Sequence, residues 1–564
     1  MRGSPAPMRL ILRSLTAFAL ALSPTAAHAE AGQASEPSSA QVQIGEEQIV
    51  VEARREGRSG WKRAESEHVL MFSDGGEAEI RRAATDVERL HQLMVRLYGP
   101  DMQAGETAKL RIILIDSVPA YRAMALRDLR AEEGPYVPPF AGQRYYDPRE
   151  DGAVLILPRA DQVIDLDTSK ARDAFCDEMG PDLLLAQKTC AEVTNRPAPA
   201  ARPWEAVLFS AYAQHFVLTY LPAGYPRWYL DGVGALFSTV KMRRNGALDY
   251  AKVSLANRQV FRSYGSLNAA DVLTGRYLEA PSGQMEWTPF HAALLAHFFV
   301  YSDLKPERRM QFQRYMTAVH RGVPMAEAAG VFGDMRKLRR EISSYANRDG
   351  LTYARTEPGG DPVQEPSMTT LSLASAAMLE ASIGLPSRGA AGVGGYDSEA
   401  ALLFAESECR SHRYQACLAA ADSILEQAPD DPGALGWRGV ALTGTALAGE
   451  AGARPDGLRR ARVALERAIA RDGDAPLPLI AYFESYAKAG ERVPEEAMAA
   501  MAKAIRLVPA APASRLALGT ELVRQGQPDL ARKLLYPVLF GPYESPERNA
   551  ARTMLAAPGP VLAP

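Results

Sequence analysis

The spacing of apolar residues along the chain predicts strands and helices in its first part and helices alone in its last part. Within residues 77–98, apolar side chains recur at steps of three and four, as on one face of an amphipathic helix. Aliphatic runs of strand length occupy residues 68–72, 110–115 and 154–157. Further helices are predicted over residues 203–221, 288–302, 307–321 and 334–347. Residues 59–350 are therefore expected to form an α+β domain.

Residues 399–562 are rich in alanine and carry an internal repeat. In each repeat an alanine is followed eight residues later by an apolar residue. The pairs are Ala416 with Ile424, Ala461 with Ile469, Ala497 with Ile505, and Ala531 with Leu539. A period near 34 residues, with Gly519 where two helices have to approach closely, resembles tetratricopeptide (TPR) repeats. An Ala-rich helical bundle without true periodicity is the alternative.

The resemblance to TPR repeats implies an all-α solenoid of stacked helix pairs. One such pair cannot bury its apolar face alone, so neighbouring pairs stack and share a core. The concave groove of such a solenoid usually binds peptides or other proteins. The partner that the resemblance implies is therefore a protein or peptide in this TPR-like groove.

Three segments are predicted to lie outside these two domains. Residues 1–29 have the features of a secretory signal peptide, because basic residues precede the apolar run 15–22 and small residues precede a cleavage point after Ala29. The polar segment 30–58 is predicted to be disordered. The segment 351–398, rich in Gly, Ser and Pro, is predicted to be a linker, within which the piece 368–383 is apolar enough to pack on the rest of the protein. No later stretch has the length of a membrane span, so we expect a periplasmic or secreted mature protein.

The composition is that of an ordinary globular protein, with 564 residues, 47% hydrophobic and 23% charged. A formal net charge of −3 argues against a nucleic-acid partner, because such proteins carry a basic excess. Export to an oxidising compartment gives the 4 cysteines a second interpretation. The pairs Cys176–Cys190 and Cys409–Cys417 are either two disulfides or two pairs of buried thiols.

The most specific pattern lies in residues 207–216 and 226–237. The first segment reads VLFSAYAQHF and the second PRWYLDGVGALF. Together they resemble the core of gluzincin metallopeptidases of the bacterial peptidase-MA-like group, and the resemblance extends over about residues 60–350. It implies a zincin-like domain, a small sheet with helices, followed here by the TPR-like repeats.

The resemblance also identifies the positions at which the family holds zinc. The family's first helix carries His-Glu-x-x-His and its second helix a glutamate, which together supply three zinc ligands and the general base that activates water. In this chain Ser210 and Gln214 replace the two histidines, Ala211 replaces the general base, and Asp231 replaces the third ligand. Serine and glutamine are poor zinc ligands, and alanine cannot transfer a proton. No catalytic residue, metal or cofactor is therefore predicted.

His215 and Asp231 are weak candidates for metal ligands. His215 has Ala211 four residues before it and Thr219 four residues after it, and neither offers a second strong ligand. A single histidine in an apolar helix is more often a core residue whose ring is hydrogen-bonded. Asp231 is the other candidate, at the position of the family's third ligand.

The leading hypothesis is an exported pseudo-metallopeptidase that acts as a binding or scaffolding protein without zinc-dependent catalysis. In that case Ser210 and Gln214, one helical turn apart, are candidates for a hydrogen bond to each other that fills the former metal pocket. The alternative is an active metal-dependent peptidase or hydrolase with a non-standard site. A third hypothesis is an α+β envelope protein without peptidase ancestry.

Overall fold

The computed structural model describes residues 58–99, 102, 105–116, 118–124, 144–164, 200–253, 269–279, 282–348, 350–357, 362–385, 397–542 and 545–556. Residues 58, 118, 122–123, 163–164, 200–201, 279 and 282–290 are described by their backbone alone. All the described residues fall in one compact unit, Arg55–Pro564. The predicted signal peptide, residues 30–57 of the predicted tail, and the pair Cys176–Cys190 lie outside the described residues.

The described strands and helices follow the order predicted for an α+β chain. The strands are β1 (Arg58–Glu65), β2 (Val69–Ser73), β3 (Leu110–Ile115), β4 (Tyr145–Asp147), β5 (Val154–Pro158), β6 (Gln162–Ile164), β7 (Ala200–Arg202), β8 (Lys241–Met242), β9 (Leu248–Tyr250), β10 (Ala354–Arg355) and β11 (Ser367–Ser372). The helices before residue 390 are α1 (Glu77–Tyr98), α2 (Val118–Ala123), α3 (Trp204–Tyr220), α4 (Arg227–Phe237), α5 (Ala269–Thr274), α6 (Ser282–Tyr301), α7 (Pro306–His320), α8 (Met325–Ala328), α9 (Met335–Ala346) and α10 (Leu373–Ser382).

A mixed sheet with the strand order β11-β1-β2-β3-β5-β4 forms the centre of the first part. Strands β2, β3 and β5 are parallel, and the outer strands pair antiparallel. Because successive side chains of a strand point to opposite faces, Ile112 and Leu114 join the core under α1 and α3, whereas Ile113 and Ile115 join a second core under α10. Both faces of the sheet are thus covered, which explains the uninterrupted apolar runs in the sequence.

The segment 351–398 differs from the predicted linker, because it contributes to this sheet. Strand β11 pairs with β1 along its length, and Trp61 donates an indole hydrogen bond to Glu380 of α10 at 2.9 Å. Leu371 and Leu379 are 1% exposed. The apolar piece 368–383, which was expected to pack, thus falls in a strand and a helix that complete the second core, an arrangement that the composition did not indicate.

Two glycines allow α4 to pack tightly between α3 and α6. A Cβ atom at Gly232 would lie 2.5 Å from the carbonyl oxygen of Ala292 in α6, and one at Gly234 would lie 2.9 Å from Oγ of Ser210 in α3. Side chains are thus excluded at both positions. This close approach brings the two motif-bearing helices into direct contact.

The last part of the chain consists of stacked helix pairs. They are α11 (Ser398–Arg410) with α12 (Tyr414–Gln427), α13 (Pro432–Ala448) with α14 (Arg454–Arg471), α15 (Pro476–Ala487) with α16 (Glu495–Leu507), and α17 (Pro512–Arg524) with α18 (Pro528–Leu534), followed by α19 (Tyr536–Leu539) and α20 (Pro546–Ala556). Each helix packs on the next, and the first helices α11, α13 and α15 also contact one another. At Gly519 a Cβ atom would lie 2.9 Å from Leu535, so the close helix contact expected there is present.

The register of the first repeat differs by one residue from the sequence alignment. Cys417 is fully buried, whereas Ala416 is only half-buried, so the small residue at the helix contact is Cys417. Cys417 forms a disulfide with Cys409, at an S–S distance of 2.14 Å, which joins α11 to α12. The buried small residue of the first repeat is therefore a cysteine, one position after the alanine that the sequence pattern indicates.

No helix within the described parts of the chain is long and apolar enough to cross a membrane.

Candidate functional site

The positions that the resemblance assigns to zinc ligands are buried at the contact between α3 and α4. Helix α3 is buried on nearly all of its sides, which makes it a core helix. Ser210, Ala211 and Gln214 of α3 and Asp231 of α4 are each less than a tenth exposed. Nε2 of Gln214 donates to the carbonyl oxygen of Leu230 at 3.2 Å, which ties the two helices together.

A buried arginine that the sequence analysis missed lies against this contact. Arg144 directly precedes β4 and is 1% exposed. Its Nη1 donates to Oγ of Ser210 at 3.2 Å, and its Nη2 donates to Oε1 of Gln214 at 2.5 Å. The hydrogen bond considered between Ser210 and Gln214 is not formed, because each accepts from the guanidinium instead. A guanidinium thus contacts both side chains at the positions where the resemblance expects zinc-binding histidines.

Asp231 supplies negative charge to the same region. Its Oδ2 lies 3.6 Å from Nε of Arg227, one helical turn away, and its buried Oδ1 has no hydrogen-bond partner within the described part of the chain. Burial raises the pKa of Asp231 to about 6, against the opposing charges of Arg227 and Arg144. The carboxyl group of Asp231 therefore changes its charge at a pH only slightly below 7.

His215 lies one residue beyond Gln214 and has local partners of its own. Its Nδ1 is 2.9 Å from the hydroxyl of Tyr146 in β4, and Thr219 lies 3.4 Å from the ring nitrogens. Burial lowers the pKa of His215 to about 3, so the imidazole is neutral at physiological pH. These contacts join α3 to the edge strand β4.

The zinc ion implied by the resemblance does not fit these residues. Zinc in proteins is bound by thiolate, imidazole and carboxylate groups, and here two of the three matching positions offer a neutral hydroxyl and an amide. The guanidinium of Arg144, within hydrogen-bond distance of both, would repel a dication. No group of three or more His, Cys, Asp or Glu side chains in the described residues is arranged to hold a metal ion.

The turn between β4 and β5 extends from this site to the helix pairs. Asp151 accepts a hydrogen bond from Arg410 of α11 at 2.6 Å, and Arg149 lies 3.8 Å from Glu406 of the same helix. Arg111 of β3 approaches Glu406 at 3.4 Å. Burial by itself would raise the pKa of Glu406, but the charges of Arg111, Arg410 and Arg149 hold it at about 2. The carboxylate therefore stays ionised and anchors the turn.

Glu150, at the tip of this turn, has an unusual protonation equilibrium. Burial raises its pKa to about 7, and the negative charge of Glu484 in α15 adds to the shift, while Lys488 opposes it. The turn 149–151 thus interacts electrostatically with the first helices α11 and α15.

Comparison with known proteins adds little to this description. No protein-family model matches the chain, and no curated protein matches it. A solved structure of a thermophilic TPR protein from Thermus thermophilus is similar to part of the chain, at 20% identity and a TM-score of 0.26. The alignment covers 28% of this chain and 82% of that chain. At this TM-score, we infer neither fold nor function from the similarity.

Proposed function

We propose that the protein is an exported pseudo-metallopeptidase whose helix pairs form a TPR-like array for binding or scaffolding another protein. The observation that carries the proposal is the pair of hydrogen bonds from Arg144 to Ser210 and Gln214. A permanent guanidinium neutralises the region as a metal cation would, but it has no open position for water or substrate. Such an arrangement preserves the fold of the family while removing its chemistry.

The loss of catalysis is tested by restoring the family's residues. We expect the wild-type mature chain to purify with far less than one zinc per chain and to cleave no peptide in a chelator-sensitive way. The variant Arg144→Ala with Ser210→His, Ala211→Glu, Gln214→His and Asp231→Glu is expected to bind about one zinc per chain, because it restores the ligand set and removes the competing cation. The matched control keeps Arg144 with the other four changes and is expected to bind zinc more weakly.

Two results would overturn this part of the proposal. One is stoichiometric zinc in the wild-type protein that is lost on changing Asp231 or His215. The other is a restored variant that folds, as shown by its circular dichroism and cooperative unfolding, yet binds no zinc.

The binding role rests on the helix pairs and on their contact with turn 149–151. A partner that uses the first helices has to compete with this turn, whose contacts include the Asp151–Arg410 pair at 2.6 Å. Asp151→Asn is therefore expected to increase the capture of a specific partner from extract of the exported fraction, relative to wild type. Arg459→Gln, an exposed position on α14, is the control. Equal recovery of the same proteins by a chain that ends before residue 398 would place binding outside the repeats.

A further inference from the structure

A small pocket, half open to solvent and with a cavity volume of ≈ 50 Å³, lies between the end of α3 and the last helix pairs. Much of its wall is apolar and contains the prolines Pro222, Pro509, Pro512, Pro537 and Pro542. Proline contributes no backbone N–H group, so these residues offer little to a polar ligand. The cavity shares no residue with the Arg144 site.

Arg515 is the charged residue that lines this cavity. It is 8% exposed, and it donates from Nε to the carbonyl oxygen of Pro509 and from Nη1 to that of Leu534, both at 3.3 Å. These two bonds fix the plane of the guanidinium. Its Nη2 has no hydrogen-bond partner in the described part of the chain.

The charge of Arg515 has no carboxylate to balance it within the described residues. Burial lowers its pKa to about 10, with no acidic group opposing the change. Arg410 is different: burial alone would lower its pKa, but Asp151 and Glu406 raise it instead. A buried ion without a counter-charge is energetically costly, and the partial charges of two carbonyl groups offset this cost only in part.

The cavity is also bordered by the beginning of α17. This helix starts at Pro512, and its N-cap residue, Ala511, has no side chain that caps the first turn. The first backbone N–H groups of a helix have no intrahelical acceptor, and they favour an anion. The uncapped helix start and the buried guanidinium both line this pocket, and both favour negative charge there.

We propose that this cavity binds the carboxylate group of a ligand with an apolar body, with Arg515 as the counter-ion. A planar carboxylate matches the fork of N–H donors of a guanidinium, and the proline-rich wall suits an aliphatic or peptide body. A single guanidinium suits one negative charge better than the two of a phosphate. The proposal is independent of the role of Arg144, so either can fail without the other.

The test compares matched acids and amides on the full mature chain by isothermal titration calorimetry. N-acetyl-leucine and the peptide N-acetyl-Ala-Ala-Leu with a free carboxyl terminus are expected to bind at least about tenfold more tightly than their carboxamides, because the amides lose the charge-assisted pair. Hexanoate distinguishes a free carboxylic acid from a peptide terminus. Inorganic phosphate is expected to bind more weakly than either acid.

Two variants connect binding to the cavity. Arg515→Met, which removes the charge and keeps the bulk, is expected to lower acid affinity at least about tenfold, whereas Arg524→Gln on the same helix leaves it unchanged. Ala223→Trp, which fills the cavity and leaves Arg515 in place, is expected to abolish binding and decides the matter if Arg515→Met does not fold. Equal affinity for acid and amide, absence of binding at about 10 mM acid, retention in these variants, or phosphate binding as tight as the acids would overturn the proposal.

Discussion

Arg144 and Gln214 are joined by a hydrogen bond of 2.5 Å from the guanidinium Nη2 to the amide Oε1, at a point where both side chains are buried. The amide nitrogen of Gln214 in turn donates to Leu230 of the neighbouring helix. The glutamine thus connects an arginine before the edge strand β4 to both helices of the motif. Its two polar atoms are satisfied from opposite sides, which fixes the orientation of the amide.

Removal of this guanidinium should destabilise the protein. In Arg144→Met the hydroxyl of Ser210 and the amide oxygen of Gln214 lose their donor, and Asp231 loses a nearby positive charge. We expect the free energy of unfolding to fall by about 3 kcal/mol, because two buried polar groups are left without their hydrogen-bond donor. Urea denaturation of the mature chain, followed by circular dichroism, measures this change.

A surface arginine provides the control for that experiment. Arg82 pairs with Glu205 at 3.1 Å but its side chain is 60% exposed. Arg82→Met should therefore alter stability by at most about 0.5 kcal/mol. If Arg144→Met proved as stable as Arg82→Met, the arginine would have no structural role in the site.

Asp231 should make the folded state less stable as the pH rises from about 4 to 6. Its folded pKa of about 6 lies above the ordinary value of 3.8, so in this interval the folded protein holds a proton that the unfolded chain has released. A difference of about two pKa units corresponds to about 3 kcal/mol. In Asp231→Asn this decrease should disappear, so the stability of the variant relative to wild type should increase between about pH 4 and 6.

Glu88 offers a comparison of opposite sign. Burial alone would raise its pKa, but hydrogen bonds from His68 and Ser66 hold it at about 2, below the ordinary 4.5. Its stabilising contribution is present above pH 4.5 and is lost as the pH falls toward 2. Glu88→Gln should therefore lose more stability at about pH 7 than at about pH 3. Parallel pH profiles for the two variants would contradict the assignment for Asp231.

Ionisation of Glu150 at alkaline pH should weaken the contact between turn 149–151 and the helix pairs. Because its folded pKa of about 7 is raised from 4.5, the folded protein becomes less stable as the pH increases from about 5 to 8. Glu150→Gln should remove about 1 kcal/mol of this loss, a figure discounted for partial solvent screening. Thermal unfolding at about pH 6 and about pH 8 measures it. Glu495→Gln, at an exposed position of α16, should leave the pH difference unchanged.

The disulfide Cys409–Cys417 should stabilise the first helix pair. It closes a short loop, with a sequence separation of 8 residues. By limiting the conformations of the unfolded chain, it should raise the free energy of unfolding by about 2 kcal/mol. Cys409→Ala with Cys417→Ala should therefore be less stable than wild type by this amount under oxidising conditions. Addition of a reductant should lower the stability of the wild type toward that of the variant and leave the stability of the variant unchanged. Equal stability in both conditions would show that the bond contributes nothing.

The sequence predicted α1 from the helical period of its apolar positions and α3 from an apolar stretch after Pro203, whereas the second motif helix was expected from the family resemblance. Helix α3 was expected at 203–221 and occupies Trp204–Tyr220, and α1 matches its predicted range. The residues at positions 210, 214 and 231 meet as their helices cross. Local periodicity is sufficient for α1, which has one buried face, whereas α3 is apolar on all sides and is indicated by its length and composition.

Arg144 and strand β11 could not be predicted in this way. Arg144 precedes a strand of three residues, and its partners lie 66 and 70 positions further along the chain, so no local pattern connects them. Strand β11 shows weak alternation, and its pairing partner β1 is more than 300 residues away. Both depend on tertiary contacts, which override local composition.

The pairing of β1 with β11 has a consequence for the order of folding during synthesis. The hydrogen bond from Ser59 to the carbonyl oxygen of Leu371 spans 312 positions, so the first strand has no outer neighbour until most of the chain has been made. Contacts of such long range form slowly, and an unpaired strand edge invites association with other chains. Truncation before residue 367 should therefore yield a protein that aggregates, even though every strand from β1 to β10 is still present.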